Sequence, residues 1–256
     1  CKTTMRDYGM LSSGLSSFHP LSRNPWDLSK TPGGSSAGGA AAAAAGYGPL
    51  HVGTDIGGSL RLPAGWCGIF SLKPSLGRIP IDPPYTGRAA GPMTRRVADA
   101  AAMMAALSRP DARDSMSLPW QDIAWDSFDQ ETDRLRGLRI GLLLDAGCGL
   151  PAEAEVLAAV QAAARRFEAA GAIVEPMRPF MTQTMLDGMD HFWRMRSYTD
   201  LQALPEAQRA KVLPYIRAWA ESAAGMTGTQ VFQASQQFHT TRVATVKACS
   251  GFDYVL

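Results

Sequence analysis

Apolar and polar positions along the 256 residues separate the chain into a compact series of elements. The first thirty residues mix Ser, Gly, Pro and aromatic side chains without periodicity. They read as a short helix or turn followed by loop, with Asn24-Pro25 and Thr31-Pro32 acting as breakers. Residues 36–45 are all small and predict a helix capped at Gly46. A helix with so few side chains lets neighbours press against its backbone, so it is expected to be buried. "PLHVGTD" then reads as a strand. "GIFSLKPSLGRIP" reads as a strand, a Lys-Pro turn and a further extended piece.

Further along, Thr94 is placed to cap a helix over residues 95–107. Residues 109–136 carry Pro, Asp, Ser and Trp and read as a surface excursion. A cleaner unit follows: an apolar strand at 138–145, a helix at 151–170 with Pro151 near its start, and a strand at 172–177. With Gly171 as the helix stop this is a βαβ unit, which implies a parallel strand pair. Residues 181–248 read as helical, broken near Pro205, Pro214 and 225–228. Asp253-Tyr254-Val255-Leu256 is strand-like. The fold class expected from this order is α/β.

Composition narrows the setting. The net charge of +2 is too small to argue for nucleic acid or an anionic membrane. The four cysteines, Cys1, Cys67, Cys148 and Cys249, form no CxxC pair. That fits reduced thiols and a cytoplasmic location rather than a zinc ribbon. No run reaches the ~18 apolar residues of a membrane span. There is no phosphate-binding G-x-x-x-x-G-K-[ST] and no G-x-G-x-x-G after a strand. His19, His51, His191 and His239 lack metal-ligand spacing and read as structural or surface residues.

The informative stretch is "GGSSAGGAAAAAAGYGPLHVGTDIGGSLR", with a Gly/Ser cluster on each side of the alanine block. Gly34-Ser35-Ser36-Ala37-Gly38 fits the G-x-S-x-G nucleophile elbow, but an elbow needs a buried strand before it. The preceding "RNPWDLSKTP" has two prolines and no strand pattern. In the second cluster Ser59 follows a strand and a turn. Gly57 and Gly58 would let successive N–H groups converge on one point, a nest that can hold an anion or an oxyanion. A serine hydroxyl still needs a base, and without a placed histidine a Ser–Lys arrangement is the alternative. Taken singly, each cluster also reads as a tight turn.

Residues 31–80, "TPGGSSAGGAAAAAAGYGPLHVGTDIGGSLRLPAGWCGIFSLKPSLGRIP", closely resemble the signature region of the amidase signature family. The likeness extends through "KTTMRDYGMLSSGLSSFHPLSRNPWD" before it and "GPMTRRVADAA" after it, and more weakly to the end of the chain. The family works through a Ser–Ser–Lys triad on amides. The resemblance implies Ser59 as nucleophile and Ser35, 24 positions earlier, as the bridging serine, held by a cis Gly34–Ser35 peptide. It implies Ser36 as support, Ile56, Gly57 and Gly58 as oxyanion-hole amides with that of Ser59 beside them, and Asp55 and Arg61 as braces of the nucleophile loop. The family's lysine lies upstream of "KTTM", and Lys2, Lys30 and Lys73 do not match it.

The resemblance further implies a mixed, largely parallel sheet covered by helices on both faces. Residues 1–256 are then expected to be one amidase signature domain, truncated at both ends. The expected partner is a small carboxamide or urea-like amide, with no nucleic acid and no membrane, and a homodimer is admissible. Three functions compete: a stand-alone amide hydrolase, an A-type subunit of glutamyl-tRNA amidotransferase, and a non-catalytic fragment. "LPAGWCG", with Trp66, and "PIDPPYTGR" look more like the stand-alone branch.

Overall fold

A computed structural model describes every residue except Arg6, Leu11 and 128–131. It comprises two compact units. The first contains Cys1–Phe128 and Lys211–Leu213; the second contains Asp129–Ala210 and Pro214–Leu256.

In the first unit the alanine block forms helix α1, Ala37–Ala45, ended by Gly46 in the left-handed conformation at φ 82°. Its expected burial is observed at Ala37, Gly38, Gly39, Ala40 and Ala43. The N-terminal segment crosses this helix at Gly38, whose N–H donates to Thr4 O at 2.9 Å. A Cβ on Gly38 would lie 2.4 Å from the Thr4 nitrogen, so a larger residue would push the segment away. The described residues of 1–30 otherwise carry little regular structure, apart from a 3-10 turn at Asp7–Gly9.

The predicted strand after the block is β1, His51–Asp55. Two elements that follow are not evident from pattern. Helix α2, Arg61–Cys67, contains Pro63. Proline is tolerated there because the N–H groups of a first turn have no partner within the helix. The next strand, β2, is only Phe70–Ser71. Strand β3, Ala89–Thr94, is buried at all six positions. Its sequence, AAGPMT, does not alternate and holds a proline, so it carries no strand signal. The sheet order is β1-β3-β2, with both pairs antiparallel. Pro92 O accepts from Leu72 N at 3.3 Å. In an antiparallel ladder the N and O of one residue face the same neighbour. The missing donor of Pro92 therefore faces the β2 side, where pairing covers only two residues.

Helix α3 is Val97–Leu107, and its N-cap is Arg96 rather than Thr94. Thr94 is the last residue of β3, and its hydroxyl donates to Arg96 O at 2.8 Å. The strand continues to the point where a cap was expected, which displaces the helix start. Among the described residues the core of this unit includes an apolar cluster of Ala40, Leu60, Cys67 and Met93 and another of Ile79, Ala90 and Met104.

The second unit contains the expected βαβ unit. Strand β4, Arg139–Leu142, helix α4, Ala154–Ala169, and strand β5, Ile173–Pro176, follow in order. Strands β4 and β5 are parallel, with Arg139 opposite Ile173. Both β4 and α4 are shorter than predicted. Four helices follow: α5 (Gln183–Gln202), α6 (Glu206–Arg209), α7 (Pro214–Glu221) and α8 (Gly228–Cys249). The breaks fall at Pro205, Pro214 and 225–228, as their breaker residues indicate. Phe192 of α5 meets Phe238 of α8 edge to face at 5.0 Å. Strand β6, Tyr254–Val255, adds to β4 in parallel. The protein is thus mixed α/β, with a parallel sheet in this unit and an antiparallel one in the first.

Candidate active site

The two Gly/Ser clusters flank α1 and β1 and meet in the first unit. The N–H of Ser36 donates to Ser59 O at 3.3 Å. The Ser36 hydroxyl donates to Thr54 O at 3.3 Å and accepts from Thr54 N at 3.2 Å. It therefore satisfies both main-chain groups of an edge-strand residue, which would otherwise be open to another chain. Ser36 is the N-cap of α1, and the segment before Gly34 is turn with one isolated bridge, Asn24 to Asp27. The strand that a nucleophile elbow requires is not among the described residues there.

Ser35 is buried at 4% exposure, and the Gly34–Ser35 peptide is cis. Ser59 is half-buried, in the turn between β1 and α2. Among the described residues neither hydroxyl has a hydrogen-bond partner. Lys73 donates to Pro74 O at 3.0 Å, and Lys2 and Lys30 are exposed.

Asp55 organises the loop that carries Ser59. Its side chain is fully buried. It accepts from the N–H groups of Gly58 at 2.8 Å, Leu60 at 3.2 Å and Arg61 at 3.4 Å. The Arg61 guanidinium closes on it in a fork, Nε to Oδ2 at 3.0 Å and Nη2 to Oδ1 at 2.9 Å. Burial pushes the Asp55 carboxyl up, but the Arg61 fork, the loop amides and the Arg61 charge outweigh it, and the group sits below its ordinary range. The same contact raises Arg61.

This geometry separates the four amides of the turn. The Gly58 N–H donates to the Asp55 carboxylate. Among the described residues the N–H groups of Ile56, Gly57 and Ser59 donate to no protein acceptor. Gly58 contributes its conformation instead. Its φ is 118°, and a Cβ there would lie 2.9 Å from Leu62 Cδ1. Nothing in the sequence pattern marks Leu62 or Thr54, whose roles depend on how loop and strand meet.

Cys67, close by in α2, is a poor competitor as nucleophile. Burial pushes its thiol up to about 11, and its Sγ lies 3.4 Å from Pro32 O. No group of three or more His, Cys, Asp and Glu among the described residues could hold a metal ion. No helix among them is long and apolar enough to cross a membrane.

A buried carboxylate and a forked arginine thus close a glycine turn whose unengaged amides lie beside a serine. A family model described as Amidase matches residues 1–237, and the chain belongs to this amidase signature family. The A-type subunit of the glutamyl-tRNA(Gln) amidotransferase from Chromohalobacter salexigens is 36% identical over 233 residues, covering 82% of this chain and 47% of that protein. Its counterpart from Burkholderia pseudomallei is 35% identical over 241 residues, covering 82% and 48%. Among solved structures, a bacterial aryl acylamidase of the amidase signature family is similar with a TM-score of 0.84 and 29% identity. It covers 98% of this chain and 54% of that one. A 6-aminohexanoate cyclic dimer hydrolase shares the fold, with a TM-score of 0.85 at 24% identity, covering 98% of this chain and 55% of that one. The chain spans about half the length of the curated relatives it matches.

Proposed function

We propose that the protein is an amide hydrolase that works through an acyl-enzyme on Ser59, on a small carboxamide or urea-like amide. Ser59 Oγ attacks the amide carbonyl carbon. Its proton passes through Ser35 to a neutral lysine, which the family resemblance puts upstream of the "KTTM" segment. The negative charge on the carbonyl oxygen is held by the N–H groups of Ile56, Gly57 and Ser59. The proton then returns to the leaving nitrogen as the C–N bond breaks, and water releases the acid. An oxyanion donor of this kind is worth about 3 kcal/mol of barrier. The observation that carries the reading is the turn itself. Asp55 holds it closed from behind, and three amides of the loop remain uncommitted beside a half-buried serine.

The test is turnover of p-nitroacetanilide by the full-length protein, with mass spectrometry of the quenched enzyme. Hydrolysis with an acetyl group on the Ser59 peptide is expected. Turnover with the adduct elsewhere would reassign the nucleophile. A second reading is supported by the 36% identity to the A-type subunit of a glutamyl-tRNA(Gln) amidotransferase. It differs in substrate and assembly rather than in the nucleophile. Glutamine hydrolysis that requires added partner proteins would favour it over a stand-alone amidase.

A further inference from the structure

Within the second unit a groove of about 480 Å³ lies between α5 and α8 and is also lined by Ser222 and Met226. Its lining combines apolar surface, Met226 and Ala234 included, with polar side chains of both charge signs. From α5 it receives Asp187, His191 and Arg194, and from α8 Gln230, Gln233 and Gln237. We propose that this groove is a binding site for a short zwitterion of dipeptide size, with its ammonium on Asp187 and its carboxylate on Arg194. The proposal is independent of Ser59 and of the hydrolytic reading.

The two charged residues stand seven positions apart, two turns or about 10 Å along the helix. At that separation they do not pair with one another, and each is half satisfied. Asp187 Oδ1 accepts from Gln183 at 2.7 Å. Arg194 donates from Nε to Asp190 Oδ2 at 2.6 Å and from Nη1 to Ser222 Oγ at 3.0 Å. Among the described residues Asp187 Oδ2 and Arg194 Nη2 have no protein partner. The guanidinium is also held from behind, since Trp219 Nε1 donates to Asp190 Oδ1 at 3.3 Å. A donor fixed in place loses little freedom on binding.

The middle of the groove offers carboxamides. Gln230 is occupied, its Oε1 accepting from Thr227 N at 2.8 Å in the cap of α8. The side chains of Gln233 and Gln237, one turn apart, have no protein partner among the described residues. Each presents a donor and an acceptor, the complement of a peptide group. Asp187 and Asp190 oppose one guanidinium, so the groove does not favour a phosphate or another polyanion. Opposite charges at its two ends and amide-pairing groups between them match an ammonium, a peptide bond and a carboxylate on one chain.

The experiment is calorimetric titration of the full-length Ser59→Ala protein, which removes the proposed nucleophile so that the amidated probe stays intact, with glycylglycine, N-acetyl-glycylglycine and glycylglycine amide. Saturable binding of glycylglycine is expected, weakened about tenfold by removal of either charge from the ligand. Asp187→Asn should weaken glycylglycine about tenfold and leave the acetylated probe unchanged. Arg194→Gln should weaken glycylglycine and leave the amidated probe unchanged. Because Arg194 also ties Asp190 and Ser222, its variant is judged by this difference between probes and not by loss alone. An absence of saturable binding at millimolar glycylglycine, or equal weakening of all three probes by each variant, would overturn the site.

Discussion

The N–H of Ser36 donates to the carbonyl oxygen of Ser59 across 3.3 Å, joining the first Gly/Ser cluster to the second. The contact uses only main chain, so it survives substitution of either side chain. Ser59→Ala should therefore leave the folding equilibrium within about 0.5 kcal/mol while turnover of p-nitroacetanilide falls by about 10³ or more. Ser35→Ala should retain more activity, because water can stand in for a relay hydroxyl. Thermal melts beside initial rates separate the two effects. An active Ser59→Ala enzyme would exclude Ser59 as the nucleophile.

Ser36→Ala tests a different property of the same junction. The variant keeps the bond to Ser59 but leaves Thr54 N and O without the hydroxyl between them. The cost should be about 1–2 kcal/mol, read as a lower urea midpoint. A melt indistinguishable from wild type would mean that water satisfies Thr54 equally well.

Gly58→Ala places a methyl group at φ 118° and 2.9 Å from Leu62 Cδ1. The backbone term alone is about 1–3 kcal/mol. Leu62→Ala in the same chain relieves the collision but not the conformational cost. The double variant should thus recover part of the stability and little of the activity. Full recovery would show that contact, not backbone geometry, makes glycine necessary there.

Much of this fold is legible in the sequence, and the failures have physical causes. The alanine helix follows from alanine's propensity and its stop at Gly46, and the βαβ unit from its apolar pattern and its stop at Gly171, because these are local signals. Strand β3 does not, because AAGPMT takes its structure from two neighbours and from complete burial. Helix α2 is concealed by Pro63, acceptable only in a first turn. The serines and Asp55 could be singled out from the Gly/Ser clusters and the family likeness. The engagement of Gly58 by Asp55 could not, since it depends on which way one amide faces after the turn closes.

Replacing Asp55 with Asn examines that engagement directly. The Asp55 carboxyl titrates below its ordinary range in the folded chain. A depressed carboxyl adds stability at pH values above its unfolded pKa, and loses it as pH falls through the folded value. Wild type should therefore lose stability between about pH 4 and more acidic values, and Asp55→Asn should lose less over the same interval. Other lowered carboxyls, Asp7, Asp27 and Asp111, remain in both proteins and cancel in the difference. At neutral pH the variant should be weaker by on the order of 2 kcal/mol, since Arg61 is half exposed and water replaces part of its partner. Its activity should fall further than its stability implies, because Asp55 also fixes the amides that flank Ser59. Urea midpoints at about pH 7, 4 and 3 for both proteins decide the point. Parallel pH profiles would show that Asp55 titrates alike in the folded and unfolded chains, and that its contacts with Gly58 and Arg61 do not hold the loop.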